Sequence, residues 1–229
     1  MWSSILARKG QIVELRAGVE SGWGYLAVSG GIQVAEILGS RSTYLPGKWG
    51  VFSGRILVEN DELPLADQSE IADLGHLTNR SLPMELIPEY SNSLSVRFIP
   101  MDTDGKRGNE ILEKFQSQSY CIENTNRMAY RLTGNPLPLS ETTDILSEGV
   151  GAGVIQLLGS GLPLVLMRDA QTTGGYRKLG AVIMADLDTL AQCTSEQAKI
   201  RFCEITVGKA QSLWRDKIKA LLSVNWGES

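Results

Sequence analysis

The 229-residue chain is 42% hydrophobic and 21% charged, enough apolar material for one large or two small globular domains and too much for a disordered one. A net charge of −4 gives no electrostatic footprint for nucleic acid or anionic lipid, so small molecules and proteins are the expected partners. Three scattered cysteines, Cys121, Cys193 and Cys203, form no CxxC pair and have a single histidine, His76, for company, which points to reduced packing thiols rather than a metal centre.

Strand-like segments dominate in chain order. Residues 11–15 alternate, residues 25–28 form a short apolar run between glycines, and residues 95–99 are bounded by polar residues and Pro100. Further strands are expected at 128–132, 154–158, 162–167, 179–184 and 200–207. Helices are expected at 109–116, 186–192 and 210–224. In the last, Ala210, Leu213, Trp214, Ile218, Leu221 and Leu222 keep three- and four-residue spacing and predict a docking face. The polar stretch 63–80, carrying Asp67, Glu70 and Asp73, is the expected connection between two halves. No apolar run reaches the roughly 18 residues of a membrane span. Near the start, Arg8 and Lys9 follow the apolar residues instead of preceding them, which is the wrong order for a secretory signal. A cytoplasmic protein is expected.

The 24 glycines fall mostly at strand ends, and short strands separated by such turns predict a barrel or sandwich. Three polar constellations are candidate sites. Gly39, Ser40, Arg41 and Ser42 follow a short apolar run, where Arg41 offers a fixed fork of donors for a carboxylate or phosphate; a turn with a surface arginine reads the same way. In the strand at 128–132, Arg127, Ala129 and Arg131 share one face and Met128, Tyr130 and Leu132 the other, so the two arginines either clamp an anion or lie on a solvated face.

The third constellation is the densest. Between Ser147 and Tyr176 two apolar strands are bracketed by Glu148 and the GVGAG run on one side and by Arg168, Asp169, Gln171, Thr172, Thr173, Gly174, Gly175 and Tyr176 on the other. GVGAG lacks the terminal Lys-Ser/Thr of a phosphate loop and the spacing of a dinucleotide fingerprint. Asp169 and Glu148 are candidate proton carriers, and Gln171, Thr172 and Thr173 with the N–H groups of Gly174 and Gly175 are candidate donors to an amide or oxyanion. A solvated glycine turn is the plainer alternative.

The segments GGIQVAEILGSRSTY, NRMAYRLTG, ILSEGVGAGVIQ, RDAQTTGGYRKLG and ADLDTLAQ occur in this order from about Tyr25 to Val207. Together they resemble the biotin-dependent carboxyltransferase family called allophanate hydrolase subunit 2, which includes the C subunit of bacterial 5-oxoprolinase and the antagonist of a sporulation-kinase inhibitor. The resemblance implies a mainly β protein with a few helices, built on a cyclophilin-like β-barrel. It divides the chain into the remainder of a first carboxyltransferase subdomain at 1–62, a connection at 63–94, a barrel core at 95–209 and the helix at 210–229. Family members usually begin with a further segment ahead of the position of Met1, so an incomplete barrel is expected. Pro100-Met101-Asp102-Thr103 also replaces the family's usual Pro-Gly-Pro-Gln.

What the resemblance implies for function is ATP-dependent opening of 5-oxoproline to glutamate. It implies A-like and B-like partner subunits, with ATP bound at the level of the complex. Arg41 with Ser42, or Arg127, would hold the substrate carboxylate. Thr172, Thr173, Gln171, Gly174, Gly175 and Tyr176 would surround the lactam, and Asp169 or Glu148 would handle protons. Two alternatives stay open: carboxyl transfer to a urea-like amide from biotin carried on another protein, and a noncatalytic regulatory role against a kinase inhibitor.

Overall fold

Alternating burial along Ser93–Pro100, with Val96 and Phe98 buried and Ser93 and Ser95 exposed, makes this segment (β1) the spine of the structure. A computed structural model describes residues 2–16, 22–67, 78–101, 105–139, 146–194 and 196–224. The chain falls into two units, Met1–Val13 with Tyr25–Ser81 and Trp226–Ser229, and Glu14–Gly24 with Leu82–Asn225.

The second unit carries the sheet. Its strands are β1, β2 (Cys121–Thr125), β3 (Ala129–Thr133), β5 (Val154–Leu157), β6 (Pro163–Leu166), β8 (Arg177–Val182) and β9 (Lys199–Glu204), in the order β2-β3-β6-β5-β8-β1-β9. A separate ribbon pairs β4 (Glu148–Gly149) with β7 (Thr173–Gly174). Neighbours in the sheet are antiparallel except β1 and β9, which run parallel from Ser93↔Lys199 to Phe98↔Glu204. The sheet curls until its edges meet. Tyr120, just before β2, exchanges two backbone hydrogen bonds with Ile200 of β9, at 2.8 and 2.7 Å. Bulges at Glu123 in β2 and at Leu179 in β8, opposite Ile155 and Gln156, supply local bends of the kind such curling needs.

Inside the curl, Phe115 of helix α2 (Gly105–Ser117) stacks on Phe202 at 4.6 Å and meets Phe98 and Tyr120 edge-on or tilted at 5.3 and 5.4 Å. All four rings are at most 1% exposed. Helix α3 (Met184–Gln192) contributes Leu187 and Leu190 to the same core. Its Asp186 accepts from the Arg97 backbone N–H at 2.8 Å and from the guanidinium at 2.8 and 2.5 Å, which fastens α3 to β1. At the other end of α3, the Gln192 amide brackets the Trp23 backbone, and the Trp23 indole donates to the Tyr130 hydroxyl at 2.9 Å. Helix α4 (Val207–Leu222) is capped by Thr206, whose side chain accepts from the Lys209 N–H, and is tied to α3 by Lys217 bonding to Ala185 O and Asp188.

The first unit is largely irregular. Isolated bridges such as Ser3↔Ser81, Ile32↔Leu65 and Tyr44↔Trp49 replace strands, and the single turn α1 (Val51–Gly54) is left-handed at Phe52 and Ser53, with φ of 51° and 58°. Arg55 grips Asp61 with two bonds at 2.6 and 2.7 Å, and the Val58 N–H donates to the same carboxylate at 2.7 Å. The guanidinium first, and that N–H second, hold the pKa of the Asp61 carboxyl at about 2. A carboxyl pKa depressed on folding stabilises above its ordinary value near 4 and loses that contribution as pH falls towards 2. A carbon-detected titration should therefore place Asp61 near 2, and Arg55→Met should raise it only part of the way towards its ordinary value, because the Val58 N–H remains; an unshifted wild-type carboxyl would contradict the pairing.

Several expectations change. Residues 11–15 and 25–28 are not strands: alternation in the first and an apolar run in the second suggested them, but neither segment has a ladder partner. The strands expected at 179–184 and 200–207 end earlier, because Met184 opens α3 and Val207 opens α4. Leu221 and Leu222, expected on a docking face, are 40% and 82% exposed, while Ala210 at the other end of α4 is buried. Most of the connection expected at 63–80, including Glu70, Asp73 and His76, lies outside the described residues. Among the described residues no helix is long and apolar enough to cross a membrane.

Candidate functional site

The polar segment after β6 is positioned by the turn before β3. The Asn126 side chain accepts from the Met128 and Ala129 N–H groups at 2.8 and 2.9 Å, an Asx turn that presents Arg127 outward. Arg127 then meets Asp169: Nε lies 2.8 Å from Oδ2 and Nη2 lies 3.3 Å from Oδ1, while the Asp169 N–H donates to the Arg127 carbonyl at 2.9 Å. The two residues neutralise each other, so neither is presented as a free ion. Their geometry makes them a brace for the turn that leads into Gln171–Tyr176.

Beyond the brace, the chain folds back over the outer face of the sheet. Val150 donates to the Thr172 carbonyl at 2.9 Å, and the β4–β7 ribbon pairs Glu148 with Gly174 and Gly149 with Thr173. Thr172, Thr173 and Tyr176 are exposed, whereas Gln171, Gly174 and Gly175 are partly buried. Glu148 is ion-paired with Lys178 of β8. The structure thus gathers Glu148 and the stretch Gln171–Gly175 into one polar layer, with the Arg127–Asp169 brace at the end of the same segment. Arg41 and Ser42, both exposed, belong to the first unit.

GVGAG has a structural role. Gly153 sits at φ +92° with its α-carbon against the Val182 carbonyl, where a Cβ would come within 2.8 Å; its N–H bonds Leu166 O at 2.7 Å and its carbonyl accepts from the Val182 N–H at 2.8 Å. The run feeds β5 between β6 and β8 and is not arranged as a phosphate cradle.

Two participants escaped sequence reasoning. One is Lys178, half-buried and cross-strand from Gln156. The other is Gln156 itself, 0% exposed, with neither its amide nitrogen nor its oxygen hydrogen-bonded. Leaving a buried polar group unpaired costs about 1–3 kcal/mol. Lys178 could have been found from the strand pattern, which puts its side chain opposite the core; Gln156 had only its polarity within an apolar run as a signal. The cysteines are free thiols, and burial pushes that of Cys193 up, away from nucleophilic use.

A curled, mainly β sheet with a polar ribbon on its outer face defines the class. The chain matches the family described as carboxyltransferase domain, subdomain A and B, over residues 1–204, and it belongs to that family. It is 30% identical over 220 residues to the C subunit of 5-oxoprolinase from Escherichia coli, an alignment that covers 96% of this chain and 68% of that protein. It is 28% identical to the urea amidolyase of Lachancea kluyveri over 89% of this chain and 12% of the relative. The crystal structure of Kluyveromyces lactis urea carboxylase superposes with a TM-score of 0.75 at 24% identity, covering 88% of this chain and 19% of that one, and shares the fold. The chain therefore spans about two thirds of the bacterial relative and a small part of the fungal enzymes.

Proposed function

We propose that the chain acts as the C subunit of an ATP-dependent 5-oxoprolinase, opening 5-oxoproline to glutamate with A-like and B-like partner subunits. The observation that carries this reading is the identity with the C subunit of the Escherichia coli enzyme across nearly the whole chain, motif segments included. The chemistry of the polar layer supports it. A lactam resists water because nitrogen donates into the carbonyl, so a site must stabilise charge developing on that oxygen. The exposed Thr172 and Thr173 hydroxyls, with the N–H group of Gly175, are the donors for it.

Glu148 is the proton carrier in this scheme, held in place by its ion pair with Lys178. Asp169 acts through Arg127, holding the donor segment in register, and is a positioning residue. Arg41 and Ser42, which belong to the first unit, are given no part in this layer. Nucleotide activation of the lactam falls to the partner subunits.

Coexpression with the A and B subunits, followed by an assay for glutamate, tests the reading. The double variant Thr172→Ala/Asp169→Ala should lower turnover about 100-fold; unchanged turnover would sink the site assignment. The urea amidolyase relative favours a second reading, carboxyl transfer to a urea-like amide with biotin carried on another protein. Inhibition of 5-oxoproline turnover by free biotin would favour that reading.

A further inference from the structure

Gln156 lies on β5, opposite Leu164 of β6 and Lys178 of β8. Its neighbours Ile155 and Leu157 point into the core, so its own side chain points to the other face, towards the ribbon. Gly174 closes directly over it: a Cβ on Gly174 would fall 2.5 Å from Gln156 Nε2 and 3.7 Å from the amide nitrogen of Gln171. Glycine at 174 is what allows the carboxamide to lie there. A wholly buried amide with both hydrogen-bonding atoms unpaired thus sits beneath the polar layer built from Glu148, Gln171, Thr173 and Lys178.

A primary carboxamide offers an N–H donor and a C=O acceptor along one planar edge. Its direct complement is a cis amide, in which N–H and C=O also lie on the same side. Acyclic secondary amides are trans; five-membered lactams and cyclic ureas are cis by ring closure. The cover over Gln156 is slight, since the ribbon rests on a ladder only two residues long on each strand and on the Glu148–Lys178 pair at its surface.

We propose that Gln156 reads the amide edge of the substrate, accepting from its N–H and donating to its C=O when the β4–β7 ribbon lifts, and so selects ring-closed cis amides. This rests on the small-amide reading of the site. The chemistry is shared by the lactam of 5-oxoproline and the ureido ring of biotin.

The test uses the full chain coexpressed with the A and B subunits. The complex is titrated calorimetrically with 5-oxoproline, the matching five-membered lactone acid, its N-methyl lactam, and biotin. The wild-type complex should prefer 5-oxoproline to the lactone and to the N-methyl lactam by roughly ten- to hundredfold. Gln156→Leu should erase that preference while leaving the unfolding midpoint of the chain unchanged or higher, because it removes an unpaired buried amide. Gln156→Glu, which keeps the acceptor for the N–H and deletes the donor to the C=O, should weaken binding of all three ring compounds while keeping the preference for 5-oxoproline. Wild-type selectivity in Gln156→Leu, or unfolding of both variants, would overturn the assignment. A wild-type preference for biotin that is lost in Gln156→Leu supports it with the ureido ring as the ligand. Binding of none of the cis amides by the wild-type complex refutes the small-amide reading itself, and the role of Gln156 falls with it.

Discussion

Phe115→Ala should destabilise the second unit by about 3–5 kcal/mol, the cost of deleting a buried ring and leaving a cavity. The ring is 0% exposed and joins three other rings, so through it α2 touches both β1 and β9. A loss of that size from a typical total of about 5–15 kcal/mol would unfold a large fraction of the population on mild warming. Urea denaturation followed by near-ultraviolet circular dichroism reads the effect directly. Phe115→Leu keeps most of the volume and should cost under about 1.5 kcal/mol more than a surface change. A Phe115→Ala midpoint within error of wild type would mean that the four rings are not the core.

Asp186→Ala is expected to cost about 2–3 kcal/mol by a different route. The carboxylate is 8% exposed and is the partner of both the Arg97 backbone N–H and its guanidinium. Removing it strands the N–H, whereas the guanidinium, 38% exposed, can turn to water. That partial escape keeps the figure below the cost of breaking a fully buried pair. Asp186→Asn retains an acceptor for the N–H and should recover about half of the loss. Equal melting of the Ala and Asn variants would show that charge, and not the N–H bond, fastens α3 to β1.

The barrel strands were legible because burial is one-sided there and alternation records it: 95–99 falls within β1, and 128–132, 154–158 and 162–167 each coincide with a strand to within a residue or two. β2 was not, since Cys-Ile-Glu-Asn-Thr is polar on its outer face and a bulge breaks the alternation. The ends of β8 and β9 were read too long because Met184 and Val207 are apolar, although Thr206 offered the ordinary signal of a helix cap. In the site, the density of Gln171, Thr172, Thr173 and Gly174 pointed to the surface where the polar layer lies. Which charges cancel was hidden, because Arg127 and Asp169 are 42 residues apart and Glu148 and Lys178 are 30 apart, separations that only the strand order closes.

The parallel union of β1 with β9 has a consequence for biosynthesis. The two strands are separated by about a hundred residues of chain, so β1 leaves the ribosome long before its partner exists. At roughly 5–20 residues per second, Val96 and Phe98 wait on the order of 5–20 s without their partner strand. During that interval β1 has α2 on its core face but only β8, itself late, as a partner strand, and nascent-chain stalling before residue 199 should yield a species held by holdase chaperones. Release of β9 from the exit tunnel completes the ring through Tyr120 and Ile200 and ends that exposure in a single step.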